Sequence, residues 1–252
     1  MSPTEALTLC AVAAVAGVVN AVAGGGTLLT FPALILFGTS AIRANATSTL
    51  ALFLGTAGSI FSFRRQLGAV KPWLVRFGPV SVLGGWLGSV LLTRTSERVF
   101  AQLVPFLLLF ATVVFLAQGA FRRLAAPERP HHRVVWVAIM FQFGVALYGG
   151  YFGAGIGILM LASLGFLSLG DLHEINALKN VLASLINFTA GAWFVVSGLI
   201  DWPKAAVMTV GAIAGYFLGA HFSQRLPAKV VRGFITAVGL AISAVMFWRQ
   251  FR

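Results

Sequence analysis

Two short polar stretches interrupt otherwise apolar sequence, and they hold the residues best suited to binding chemistry. One is Asn45-Ala46-Thr47-Ser48-Thr49; the other is Asn176-Ala177-Leu178-Lys179-Asn180, with Asn187 seven residues further on. From Asn176, Lys179 and Asn180 follow at i+3 and i+4, so one helix face carries all three. Asn187 continues that face. A polar face inside an apolar segment has to point into a cavity or a helix interface. The chemistry on offer is hydrogen-bond donation plus one positive charge, which suits an anion. N-capping competes as an explanation for Asn45, but it does not account for Lys179, Asn180 and Asn187 together. Arg43, two residues before Asn45, is the matching cation of the first stretch. For both Arg43 and Lys179 the competing role is snorkelling to an interface.

A glycine motif precedes each polar stretch. The first is Gly24-Gly25-Gly26-Thr27 and the second Gly153-Ala154-Gly155-Ile156-Gly157. A helix starting at Thr27 or Ile156 would aim unpaired N–H groups and a positive dipole end at the glycine turn. Glycine lets a ligand come close to the backbone, so the turn can hold an anion without a charged side chain. Close helix packing is the alternative use of such glycines in membranes. It is the preferred reading for Gly84 and Gly88 and for Gly211, Gly215 and Gly219. For Gly24 to Gly26 and Gly153 to Gly157, lining of a ligand site is preferred, because polar residues follow both. Irregular backbone at membrane depth must be buried in protein or line a cavity. Two corresponding interruptions mark the centre of a transporter.

The elements that position these residues are apolar helical segments. The chain has 252 residues, 59% hydrophobic and 10% charged, with mean hydropathy +0.93; soluble domains carry roughly 25% charge. This is the composition of an all-α integral membrane protein. Apolar segments run over 5–22, 27–38, 46–63, 73–93, 99–120, 134–152, 155–170, 176–198, 203–222 and 230–248. A polar linker, 121–133, separates repeat one (1–120) from repeat two (134–252) in a single transporter domain. The halves align: Asn45-Ala46 pairs with Asn176-Ala177 at an offset of 131, as do Pro72 with Pro203 and Gly84 with Gly215. The glycine motifs align at 129, Gly24 with Gly153 and Gly26 with Gly155. Many matches at one offset indicate an internal duplication.

Segment 27–38, as a helix, is only about 18 Å long, too short for a hydrocarbon core of about 30 Å. Either 5–22 and 27–38 form a hairpin, or they are one broken span. A hairpin leaves an odd number of spans per repeat and makes the repeats inverted; a broken span makes them parallel. The inverted arrangement is favoured, since it gathers the basic loops 64–76, 121–133 and 225–232 on the cytoplasmic side.

Several classes are excluded or disfavoured. The net charge is +12, but the basic residues sit at segment ends, as topology signals rather than a nucleic-acid surface. The six acidic residues, Glu5, Glu97, Glu128, Asp171, Glu174 and Asp201, all lie near segment ends, which speaks against a carboxylate relay. His173 reads as part of a loop-end cluster, and His131-His132 lies in the linker; no metal or cofactor is expected. Cys10 is the only cysteine, so no intramolecular disulfide can form. The first segment lacks a basic leader and is expected to be retained. No hydrolase elbow, zinc-protease or Walker motif is present, and an enzyme is not expected.

The run Gly24-Gly25-Gly26-Thr27-Leu28-Leu29-Thr30-Phe31-Pro32, then Ala44-Asn45-Ala46-Thr47-Ser48, resembles the TauE/SafE family of membrane anion transporters. So does Asn176 to Asn180, followed by Ile186-Asn187-Phe188 and Gly198-Leu199-Ile200-Asp201-Trp202. The resemblance covers nearly the whole chain. It implies movement of small sulfur-containing anions, such as sulfite, sulfoacetate and related organosulfonates, across the cytoplasmic membrane, often outward. The expectation is therefore a secondary transporter working by alternating access, with a passive anion channel or a permease subunit needing a partner as alternatives. Its partners are a small anion and the lipid bilayer; a homo-oligomer is compatible with the sequence. The second glycine motif here reads Gly-Ala-Gly, so the two halves of the site need not be equivalent.

Overall fold

A computed structural model of the chain describes residues 1–22, 25–62, 67–123, 132–165, 172–222 and 228–250. These form α1 (Pro3–Val22), α2 (Thr27–Leu36), α3 (Ala41–Ser62), α4 (Leu67–Arg94), α5 (Glu97–Arg123), α6 (His132–Tyr151), α7 (Ile156–Gly165), α8 (Leu172–Val196), α9 (Trp202–Phe222) and α10 (Ala228–Gln250). No strand occurs among the described residues, so the architecture is all-α. Within α1, α4, α5 and α8 lie segments long and apolar enough to cross a membrane: Pro3–Ala21, Val70–Arg94, Glu97–Val114 and Ala177–Val196.

Five helices lie on each side of the linker, and their packing is reciprocal. α1 packs on α9 as α6 packs on α4; α3 packs on α9 as α8 packs on α4; α3 meets α8, and α5 meets α10. Glycine permits the closest of these approaches. A Cβ at Gly215 would overlap the Ala14 carbonyl of α1, and one at Gly88 would overlap the Leu147 carbonyl of α6. The glycines at 84, 88, 211, 215 and 219 all face a neighbouring helix in this way, as small residues do when dispersion and close approach drive helix association.

The chain turns back at each glycine motif. A Cβ at Gly26 would lie 2.7 Å from the Ala16 carbonyl and 3.0 Å from Asn20, so α2 folds against α1 instead of continuing it. Likewise a Cβ at Gly149 in α6 would be 3.2 Å from the Ile156 side chain at the start of α7. Of the two geometries compatible with the sequence, the hairpin is therefore the one adopted. α2 and α7 each have ten residues, about 15 Å of helix. The hairpins touch through Phe31 and Phe152, stacked edge to face at 5.4 Å between ring centroids; both rings are fully buried.

Two helices start earlier than the polar stretches suggest. α3 begins at Ala41, because the Glu97 carboxylate of α5 accepts the Ala41 and Ile42 N–H groups and so caps a positive helix end from a distance in sequence. Asn45 therefore lies inside α3 and is not its N-cap. α8 begins at Leu172, four residues ahead of Asn176. α2 stops at a Schellman turn: Gly38 has φ +77°, Thr39 N–H donates to Leu34 O and Gly38 N–H to Ile35 O, both at 3.0 Å. Lys204 Nζ donates to the Phe37 carbonyl at 3.0 Å and pairs with Glu5 at 3.0 Å. This ties α1, the end of α2 and α9 together at one end of the bundle.

Candidate functional site

A cavity of ≈ 100 Å³ lies between the two hairpins. Gly25 and Thr27 reach it from the first, and Gly153, Gly155, Ile156 and Gly157 from the second. The backbone at these turns is irregular because it has to reverse direction. Gly153 and Gly155 take the left-handed conformation, φ +80° and +78°, which alternates the peptide orientation and can gather N–H groups into an anion-binding concavity. Both short helices begin at the cavity, so two positive dipole ends face one space.

α3 and α8 supply the opposite wall with side chains from equivalent positions. Thr49, Leu52 and Thr56 line it from α3; Asn180, Ala183 and Asn187 line it from α8, each pair at the 131-residue offset. Their spacing of three, four and seven residues keeps each set on one helix face. Lys179 and Ser184 complete the α8 side. The Lys179 stem runs past the second turn, its Cδ 3.8 Å from where a Cβ at Gly157 would sit. Asn20 of α1 and Tyr216 of α9 close the remaining sides. No carboxylate is among the described lining residues. The arrangement combines hydroxyl and amide donors, helix N-termini and one ammonium group, and it favours a small anion.

The structure thus brings Gly25, Thr27, Gly153, Gly155, Lys179, Asn180 and Asn187 to one cavity. Other candidates lie apart from it. Gly26 is buried beside the turn, with its N–H donated to Asn20 Oδ1 at 2.8 Å. Asn45 Nδ2 donates to the Tyr151 carbonyl at 3.1 Å, tying α3 to the end of α6. Thr47 Oγ1 accepts the Asp201 N–H at 3.0 Å. Ser48 shares a 2.6 Å hydrogen bond with Thr30, whose hydroxyl also donates to Gly26 O. Arg43 is exposed and donates to the Ile200 carbonyl at 3.5 Å. Gly24 lies outside the described residues; Asn176 is in α8, but its side chain is outside them too. Sequence reasoning passed over Asn20, Thr56, Ser184 and Tyr216. The signal for Ser184 and Thr56 was the i+4 spacing from Asn180 and the i+7 spacing from Thr49; Tyr216, on α9, carried no such signal. For Asn20 it was a lone amide in the apolar run before the first glycines.

Compared with known proteins, residues 9–246 match the family described as Sulfite exporter TauE/SafE. The chain belongs to the TauE/SafE family. This is a family of membrane transporters, not enzymes. Among similar proteins is a probable membrane transporter protein of Haemophilus influenzae, 28% identical over 244 residues, covering 94% of this chain and 92% of that protein. Another is the probable membrane transporter protein YfcA of Escherichia coli K12, 26% identical over 250 residues, 98% of this chain and 91% of YfcA. A third is YunE of Bacillus subtilis, also a probable membrane transporter protein, 23% identical over 243 residues, 86% and 88% of the two chains. No solved structure matches the chain.

Proposed function

We propose that this TauE/SafE transporter is a secondary exporter of a small sulfur oxyanion, sulfite or an organosulfonate, in the cell membrane. One observation carries the reading: a cavity between two helix N-termini whose described lining residues include Lys179 and no carboxylate. The anion sits between the glycine turns, with backbone N–H groups and Thr27, Asn180 and Asn187 donating to it and Lys179 supplying charge. Asn176 belongs to the same face of α8. Asn45, Thr47, Ser48 and Gly26 hold the turns and helices in register, and Arg43 does not border the cavity.

In this reading the two hairpins give each repeat (1–120 and 134–252) an odd number of spans, which supports inverted repeats, and the basic residues of the 121–133 linker support a cytoplasmic position for it. Inverted repeats about a central site support alternating access by rocking. The test is a thermal-shift and calorimetric panel on detergent-purified protein with sulfite, sulfoacetate, taurine, thiosulfate, sulfate, acetate and chloride. A ligand at 100 times its Kd stabilises by about 2.7 kcal/mol. Saturable stabilisation by a sulfur oxyanion but not by acetate or chloride supports the reading. Equal responses to all anions, or uncoupled conductance in liposomes, overturns it in favour of a channel.

A further inference from the structure

We infer that Asn20 is a specificity-determining residue of this site, presenting its side-chain amide N–H groups to the bound anion. The inference rests on the anion-transport reading above. Amide oxygen and nitrogen are assigned from their partners. Here the partner settles the orientation: the Gly26 N–H is a donor, and the atom 2.8 Å from it is therefore Oδ1. The side chain also packs closely on this turn, since a Cβ at Gly26 would lie 3.0 Å from Asn20 Cγ. The turn thus fixes the amide plane and uses its oxygen. What remains is an NH2 group with two donors, on a half-buried side chain that borders the cavity.

This donor has no counterpart in the second repeat. At the 129-residue offset of the glycine motifs, Asn20 corresponds to Gly149. There the turn is held differently, by the Tyr148 hydroxyl donating to the Ala154 carbonyl at 2.8 Å. Lys179, in turn, corresponds to Ser48 at the 131 offset, and Ser48 is fully buried against Thr30. The ammonium group belongs to the second hairpin's side and the oriented amide to the first. An oxyanion held between them has one oxygen toward charge and another toward a neutral donor. That discriminates against ions with a single acceptor atom.

Asn20→Asp separates this role from simple support of the turn. It keeps an acceptor for the Gly26 N–H but replaces the donors with an anionic oxygen. With sulfite as the probe, calorimetry on the purified full chain should show Asn20→Asp weakening binding by about tenfold or more, with the unfolding midpoint unchanged. Wild-type affinity in folded Asn20→Asp would overturn the inference and leave the transport reading intact. Sulfite binding absent from the wild type would overturn both. Should Asn20→Asp not fold, the isosteric pair Asn20→Thr and Asn20→Val decides: the hydroxyl variant should bind sulfite more tightly, and equal affinities would refute a donor role.

Discussion

The polar stretches of α3 and α8 occupy equivalent places in the two repeats, yet they do different work. In α3, Asn45, Thr47 and Ser48 are buried and engaged with Tyr151, Asp201 and Thr30; only Thr49, and Thr56 beyond it, reach the cavity. In α8, Lys179, Asn180, Ser184 and Asn187 all reach it. Helix faces at a common sequence offset border one cavity, and charge and amide donors are concentrated on the α8 face. The other face kept its polar atoms for holding helices together. Buried polar groups without partners are costly; Thr47 and Ser48 are accounted for by packing, whereas Asn45 uses its Nδ2 on Tyr151 and keeps a buried Oδ1 with no hydrogen-bond partner.

Breaking the α8 side should have the largest effect on binding. Lys179→Ala removes the one ammonium group among the described lining residues and should weaken sulfite binding by about tenfold to a hundredfold, the range of a hydrogen bond to a charged group. Calorimetry would show this, and unchanged affinity would remove Lys179 from the site. Next comes the second turn. Gly155→Ala has room, its Cβ at 3.6 Å or more from Ala111, but φ is +78°. The strain is about 1–3 kcal/mol, and the turn should yield to it, lowering both transport rate and affinity.

A finer comparison uses the equivalent pair Asn187 and Thr56. Asn187→Ala should reduce affinity by about fivefold, the worth of roughly one neutral hydrogen bond, and Thr56→Val by less. Equal losses would mean that the two faces still share the ligand. The smallest effect on binding belongs to Thr47→Val. It leaves the Asp201 N–H without its partner and should cost about 1–2 kcal/mol of stability, seen as a lower unfolding midpoint. Affinity of the folded protein should stay within about twofold, since Thr47 does not border the cavity. A large loss of affinity there would erase the distinction between the two stretches.

Much of this was legible in the residues alone. Hydropathy and charge placement determine an all-α membrane protein, and residues at the shared offset of 131 line one cavity from α3 and α8. The face carrying Lys179, Asn180 and Asn187 follows from helical spacing, a local property that needs no knowledge of neighbours. The same reasoning could not sort Thr47 from Thr49, because both sit in one polar run and differ only in which neighbour their side chains meet. It favoured the hairpin over the broken span only through loop charge, since glycine permits either. Tertiary packing decided these points. Gly26 lies against Ala16 and Asn20, so the chain reverses, and Thr47 finds Asp201 154 residues away. Long-range partners choose which polar atoms are spent on the fold and which are left for a ligand, and no local pattern encodes that choice.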